Sequence, residues 1–527
     1  MFDLRQPGSG EAGKWIVSTS SHLHFFAVSL LQVALVTLTA GCMVGPDYVR
    51  PKVDTPAEYR FQFRDVQATA NTQWWRQFND PVLDDLITQA LAYNWNAKIA
   101  AANVEAAAGS LMQARSPLFP QIGYNGQGVR QRATEDAVTA VPHPNPFNDF
   151  QTLGNASWEI DLWGRIRRQT EAARANLLGT EEARRGVILS LVTTVANGYI
   201  QLLGLDAQLA MSKQTQASYA EALRLIEAQF KYGQTSEMTV AQAKTQYETA
   251  SAQIPLLERK IALAENALSI LIGRNPGPIP RGRTLETLVP PPVPAGVPSE
   301  LLVRRPDILQ AEQQLIAANA LIGAARAQYF PAISLTGVLG SESAQLSGLF
   351  SGLARTWTYA GALTGPIFTA GLIGGQVAQA EAQQKAALNN YKQVIQGAFA
   401  DVSNALISRQ KRVEEVTTQQ KLVKALSDYS RLANLQYSAG YAPYMTVLQA
   451  DQQLFPAELN LADTQAASLT ALVSIYQSMG GGWVDEAARQ APAPVRGWGP
   501  FAPAIPKAPG EVPPSADGVK SAAPAPD

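Results

Sequence analysis

Side chains able to do covalent or metal chemistry are scarce in this 527-residue chain. It has one cysteine, Cys42, and three histidines, His22, His24 and His143. A nucleophile activated by an imidazole needs both groups within hydrogen-bond reach. Only His143 lies beyond residue 42, set among the prolines of Val141–Pro146. A cysteine–histidine metal cluster cannot be assembled within one chain, and a lone cysteine excludes an intramolecular disulfide. Asp and Glu are spread over helix-like stretches, with no pair placed for general acid–base work. No catalytic residue and no metal ligand is assigned, and no enzymatic function is expected. The net charge of −1 offers no basic surface for nucleic acid.

The chemistry left is modification of Cys42 itself. Phe25–Thr39 is an apolar run of about 15 residues, short for a membrane span, preceded by Arg5 and Lys14. It ends Leu38-Thr39-Ala40-Gly41-Cys42, small residues before a cysteine, similar to a bacterial lipobox with Thr39 where Leu is commoner. Residues 1–41 are read as an export signal. Cys42 is then the mature N-terminus, carrying a covalent lipid as the only bound group. Met43 follows it, not the Asp that would hold a lipoprotein at the inner membrane.

The elements that position the rest come in two copies. Phe230-Lys231-Tyr232-Gly233 followed by Met238-Thr239-Val240-Ala241-Gln242-Ala243 returns as Tyr437-Ser438-Ala439-Gly440 followed by Met445-Thr446-Val447-Leu448-Gln449-Ala450, offset by 207. Ala114-Arg115 and Phe119-Pro120-x-Ile122 return as Ala325-Arg326 and Phe330-Pro331-x-Ile333, offset by 211. Each half reads helix, Phe-Pro, non-helical segment, long helix, Gly turn, long helix. A repeat of this length outweighs local propensity in deciding the fold. The expected boundaries are a lipidated N-terminal segment at 42–80, a first repeat at 81–272, a Pro-rich connection at 273–300 and a second repeat at 301–479. A C-terminal segment, 480–527, is Ala/Pro-rich from about 486 and expected to be disordered or extended.

The period of the apolar residues changes along each half. From Asp80-Pro81, a good helix start, a helical pattern runs to about 115. After each Phe-Pro the period becomes two. Ile122 and Tyr124 alternate with Gln121, Gly123 and Asn125. Phe150, Thr152, Gly154, Ala156, Trp158, Ile160 and Leu162 alternate with more polar neighbours. Ile333, Leu335 and Leu339, then Trp357, Tyr359 and Leu363, repeat the pattern. Four strands of about ten residues fit tilted bilayer crossings, one face to lipid and one to a lumen. Trp158, Trp163 and Trp357 fall near strand ends, where an aromatic belt sits. Four strands alone leave edges that lipid does not tolerate, so partner strands are required.

The stretches 164–232 and 371–439 contain no proline and would each be about 100 Å long as helices. In the second, Leu388, Tyr391, Ile395, Ala398, Val402, Ala405, Arg409, Val413, Val416, Gln420 and Val423 recur at a mean spacing of 3.5, the coiled-coil period. Returning helices are expected at about 236–272 and 443–479, with Ser236 or Thr235 as an N-cap. Pro255 and Pro456 should kink or break them. Gly233 and Gly440 should take positive φ.

Four motifs in order, over about 43 to 485, carry a family resemblance. They are Val44-Gly45-Pro46-Asp47-Tyr48 with Pro51, Trp74-Trp75-x-x-Phe78-x-Asp80-Pro81-x-Leu83, Arg304-Arg305-Pro306-Asp307-Ile308 and Gly480-Gly481-Gly482-Trp483. The chain resembles outer-membrane efflux lipoproteins of the NodT type, outer-membrane factors of resistance–nodulation–division pumps in the TolC-like superfamily. The fold this implies is a mixed α/β membrane protein, internally duplicated. Four transmembrane strands per chain complete a twelve-stranded barrel in a homotrimer, and long coiled-coil helices form a periplasmic α-barrel. The implied function is a passive conduit for drugs or other toxic solutes, anchored in outer-membrane lipid. A periplasmic adaptor and an inner-membrane transporter are the implied partners. The exit duct of a type I secretion system, or a lipid-anchored coiled-coil spacer without a pore, are the alternatives. Substrate is not legible, although the scattered methionines disfavour copper export. The resemblance places adaptor docking at the turns, on Tyr232, Gly233, Gln234, Thr235, Gly440 and Tyr441. It also places a gate at the helix tips. Tyr441-Ala442-Pro443-Tyr444 departs from the family by lacking a carboxylate, so the gate candidates are Asp428, Arg431, Tyr437 and Tyr441. Asp428 and Arg431, three apart on one helix face, could bond to neighbouring helices or only to each other.

Overall fold

Nothing in 165–231 or 372–438 interrupts a helix, and both form helices of 67 residues. In a computed structural model of the protein, residues 43–61, 72–134, 136, 144–294, 298–495 and 502 are described. In chain order the main elements are α1 (Pro81–Tyr93), α2 (Trp95–Arg115), β1 (Gln121–Gln131), β2 (Phe147–Ile160), α3 (Arg165–Lys231), α4 (Glu237–Leu271), α5 (Pro298–Arg304), α6 (Pro306–Arg326), β3 (Ala332–Ser343), β4 (Arg355–Thr364), α7 (Leu372–Ser438), α8 (Tyr444–Ser478) and α9 (Trp483–Gln490). Both halves present the same order, with α4 and α8 each 35 residues long.

The chain divides into two units. The first draws its described residues from the ranges Met1–Val49, Leu111–Ala173 and Ala317–Gln384. It holds one antiparallel sheet in the order β1-β2-β3-β4. Ile122 faces Ala156, Trp158 faces Leu335, and Leu339 faces Trp357. The passage from β2 to α3 is set by Asp161, whose carboxylate accepts from Ile166 N at 3.0 Å and Arg167 N at 2.8 Å. A carboxylate there satisfies orphan donors of the first helical turn and favours the helix dipole. Trp163 stacks on Phe330 with ring centroids 4.6 Å apart and donates Nε1 to Pro331 O. It thus packs at the foot of β3.

The second unit draws on Arg50–Ser110, Arg174–Ile316 and Lys385–Asp527. Its core explains two of the motifs. Trp74 stacks on Tyr476 at 5.1 Å and meets Phe78 and Trp483 edge-on, and Trp75 meets Trp483 edge-on at 5.6 Å. Each such pair contributes about 0.5–1.5 kcal/mol beyond area burial. Arg305 donates to Ser478 O at 3.1 Å, near the end of α8, and pairs with Asp307 and Asp401. Burial alone would depress the Arg305 guanidinium, but these carboxylates outweigh it and the pKa is raised.

Three expectations are corrected. The helical stretch 81–115 is two helices, because Asn94 caps the second: its Oδ1 accepts from Ala97 N at 3.1 Å and its Nδ2 donates to Leu271 O. Of the two outcomes expected at Pro255 and Pro456, a break does not occur: both helices run on through the prolines. Each forfeits one backbone bond, while the flanking Leu257 and Phe455 are buried and hold the helix in place. Residues 486–490 are neither disordered nor extended but belong to α9, which Trp483 anchors. The 3.5-residue stripe on α7 is buried from Tyr391 to Ala405 and half-buried or exposed from Val413 on. α5 begins at Pro298, within the stretch expected to be connection.

Candidate functional site

Two regions carry the expected function, and each is described within its own unit. In the first unit neither face of the sheet is covered, and nearly every strand residue is at least partly exposed. Register puts Ile122, Tyr124, Trp158, Leu335, Leu339, Trp357, Tyr359 and Leu363 on one face. Gln121, Asn125, Gln127, Gln151, Asn155, Ser157, Glu159, Ser334, Thr336, Thr356 and Thr358 share the other. A large apolar side chain left in water forgoes about 1.5–3 kcal/mol, so this face needs a cover of lipid or protein. Within the described residues β1 and β4 have no outer neighbour, and both edges of the sheet are open.

The segment next to Cys42 is fixed to this unit, while Cys42 itself lies outside the described residues. Arg168 is buried and gathers that segment. It donates to Val44 O and Gly45 O at 3.3 Å each and to Asp47 Oδ1 at 2.7 Å, and it also pairs with Glu171. Asn319 donates to Pro46 O at 2.9 Å. The Val-Gly-Pro-Asp motif is therefore a backbone strap read by one guanidinium.

In the second unit the two glycine turns have one geometry. Gly233 has φ +72° and Gly440 φ +78°. Gln234 N bonds to Gln229 O at 2.8 Å, and Tyr441 N to Gln436 O at 2.9 Å. These six-residue closures satisfy the last carbonyls of the helix and need a left-handed residue. A Cβ at either glycine would meet only open space, so backbone conformation alone demands glycine there. Ser236 caps α4, its Oγ accepting from Thr239 N at 3.3 Å. Tyr232 and Tyr441 are exposed at the turn surfaces, with Gln234 exposed and Thr235 half-buried between them and the cap.

The gate candidates separate. Asp428 and Arg431 contact each other at 3.5 Å, both more than half exposed. Tyr437 is half-buried. It donates to Gln229 Oε1 at 3.0 Å and meets Tyr444 edge-on at 5.4 Å, over a small core of Ala433, Val447 and Ala450. That bond joins α7 to α3 and brings the two turns together. Tyr441 lies outside this packing.

Sequence reasoning missed the acid next to that core. Asp451 on α8 accepts from Ser430 Oγ of α7 at 2.6 Å, and Tyr219 of α3 donates to its backbone carbonyl at 3.4 Å. Burial pushes the Asp451 carboxyl up, with the Ser430 bond pulling weakly the other way. Burial likewise raises Glu458, seven residues on, and pushes Tyr444 up to about 12. An Asp spaced like Gln449 or Gln453 in a helical run gives no sequence signal of burial. Among the described residues, no group of three or more His, Cys, Asp or Glu side chains is placed to hold a metal ion.

The family of outer membrane efflux proteins matches residues 86–274 and again 297–481. A probable efflux pump outer membrane protein of Pseudomonas putida, TtgC, is 35% identical over 468 residues, covering 87% of this chain and 96% of that protein. The cation efflux system protein CusC of Escherichia coli O6:H1 is 33% identical over 461 residues, covering 86% and 98%. The crystal structure of the open state of the Neisseria gonorrhoeae MtrE outer membrane channel superposes with a TM-score of 0.75 at 30% identity, covering 84% of this chain and 99% of that one.

Proposed function

Because the chain belongs to the outer membrane efflux protein family and serves as an efflux channel of the outer membrane, we propose that three copies close one pore. In this reading each sheet supplies four strands of a twelve-stranded barrel, and the long helices continue the conduit as a periplasmic tube. The two halves descend from one duplicated unit, with boundaries at 81–272, 273–300 and 301–479. The observation that carries the reading is the uncovered sheet, apolar on one face, polar on the other and open at both edges. Lipid covers such an apolar face, and only another strand satisfies such an edge.

The pore works passively. No reaction is catalysed, and no bound cofactor is needed beyond a covalent lipid on Cys42, which anchors the mature N-terminus in the outer membrane. Energy and selectivity come from an inner-membrane transporter of the resistance–nodulation–division type, reached through a periplasmic adaptor that docks on Tyr232, Gly233, Gln234, Thr235, Gly440 and Tyr441. Named relatives export toluene, antibiotics, solvents or cations; we favour organic solutes here because methionines are scattered through the chain. The closed constriction forms at Asp428, Arg431, Tyr437 and Tyr441. Intact-mass and native mass spectrometry of protein extracted in mild detergent tests the assembly. Three chains, each with acyl mass on Cys42 that Cys42→Ala removes, are expected. A stable monomer, or an unmodified Cys42 in wild type, contradicts it.

A further inference from the structure

The charged residues of the four strands are sorted by sign. There are five of them: Arg130, Asp149, Glu159, Glu342 and Arg355. Alternate residues of a strand share a face, and so do residues paired across a ladder. Arg130 lies six residues from Tyr124, and Arg355 two from Trp357, so both arginines belong to the apolar face. Glu342 pairs with Gln151, and Asp149 stands two residues from it. With Glu159, these acids belong to the polar face. Within the strands the apolar face therefore carries positive charge only.

Both arginines also stand at one end of the sheet. Gln121, Ile160, Ala332 and Thr364 are the strand ends that lead to or from the helices, and loops join the opposite ends. Arg130 is one residue from the loop end of β1, and Arg355 is the first residue of β4. The helices of an outer membrane efflux protein are periplasmic, so the loop end meets the outer leaflet. A guanidinium facing lipid is costly at the bilayer midplane and tolerated near either interface. Tolerance accounts for a position at an end. It does not account for both arginines taking the outer end, nor for the absence of a carboxylate beside them on that face.

We propose that the outer rim of the apolar face binds a phosphorylated glycolipid of the outer leaflet, with Arg130 and Arg355 holding its phosphate groups. The proposal rests on the reading that lipid covers this face. A guanidinium fork matches phosphate oxygens two at a time. Arg130 gives one N–H to Asn148 Oδ1 at 3.1 Å, directly across the β1–β2 pair, which orients the group and leaves other donors for an oxyanion. Among the described residues Arg355 meets no carboxylate. Next to Arg355, exposed Trp357 and Tyr359 stack at 5.5 Å and form a flat apolar wall. The connection from β3 adds exposed Phe350 and Leu353 at the same end. A soluble phosphate would use the arginines alone, whereas an amphiphile uses the cations and the apolar wall together.

The test offers three lipids to the detergent-purified native oligomer: bisphosphorylated lipid A, the same lipid with both phosphates removed, and phosphatidylglycerol. Native mass spectrometry counts what binds. Bisphosphorylated lipid A should bind on the order of tenfold more tightly than either of the others. Arg130→Gln with Arg355→Gln should erase that preference in an oligomer of unchanged size. Equal binding of the dephosphorylated lipid, tighter binding of phosphatidylglycerol, or an undiminished preference in the double variant would overturn the proposal. The dephosphorylated lipid needs no variant, so it decides the matter even where the double variant fails to assemble. A second measurement separates the two levels. Phosphatidylcholine brominated on its acyl chains should quench Trp357, read as the difference between wild type and Trp357→Phe. Quenching without a preference for lipid A defeats this inference alone, whereas a Trp357 that brominated chains never quench defeats the lipid-facing sheet beneath it.

Discussion

Tyr437 donates its hydroxyl to Gln229 Oε1 at 3.0 Å, and the bond crosses from one 67-residue helix to the other. It lies within one turn of both Gly233 and Gly440. Among the gate candidates only Tyr437 bonds to another helix of the same chain. In the proposed trimer, removing it by Tyr437→Phe should withdraw about 0.5–1.5 kcal/mol per copy from the proposed closed tip. Single-channel recordings without adaptor should show longer open times. Arg431→Ala should change them less, because an exposed ion pair contributes about 0–1 kcal/mol. With Tyr441→Ala added, conductance should rise. An unchanged conductance in that correctly assembled double mutant would move the constriction away from these residues.

The turns separate conformation from packing. Gly440→Val forces a β-branched residue into left-handed backbone, although its side chain meets open space. Efflux should fall while membrane levels hold. Gly440→Asn tolerates that conformation and should keep most of the activity. A drug-susceptibility assay compares the two; full resistance with Gly440→Val would reduce the turn to a helix connection.

Asp80 is a larger structural commitment than its helix-start motif conveys. Oδ1 accepts from Val82 N and Leu83 N, while Oδ2 accepts from Tyr199 Oη at 2.9 Å and Arg283 N at 3.0 Å. Gly282 N donates in turn to Tyr199 Oη, and a Cβ on Gly282 would collide with the Asp80 carboxylate. Asp80→Ala strands several buried donors and should cost about 3 kcal/mol. Gly282→Ala should also destabilise, and Tyr199→Phe less than either. Thermal unfolding in detergent reads the order; equal midpoints for all three and wild type would disprove the network's role.

Asp451 should make the turn end pH-sensitive. Its folded pKa is raised above the ordinary 3.8, so the folded chain holds the proton longer than the unfolded chain. Stability is therefore greatest below the ordinary value and falls as pH rises through the raised one. Asp451→Asn keeps an acceptor for Ser430 and removes the titration. It should flatten the decline and be more stable than wild type at neutral pH. Urea midpoints at several pH values report this, and parallel profiles for the two proteins would refute it.

Much of this architecture is legible in sequence because glycine and proline punctuate it. Gly233, Gly440 and the Phe-Pro pairs locate helix ends and strand starts to within about two residues, since only particular backbone angles are open there. Period-two alternation marks the strands because one face alone is apolar. What escapes is whatever depends on a distant partner. Asn94 looks like any helical polar residue until Leu271 O is beside it. Tyr199 and Asp451 sit unmarked within long helices. Trp483 starts a helix because Trp74 and Trp75 are waiting for it. Prolines that should kink or break α4 and α8 do not end them, because buried Leu257 and Phe455 beside them hold the helices in place.

Conductance tests the central claim most directly. Wild-type protein, purified as native oligomer and added to one side of a planar lipid bilayer, should insert and give discrete, ohmic current steps without any transporter or nucleotide. The steps should be abolished when trimers are dissociated before addition. Intact lipid-anchored trimers that associate with the bilayer yet never pass current, or current carried by single chains, would contradict a pore built from three open-edged sheets.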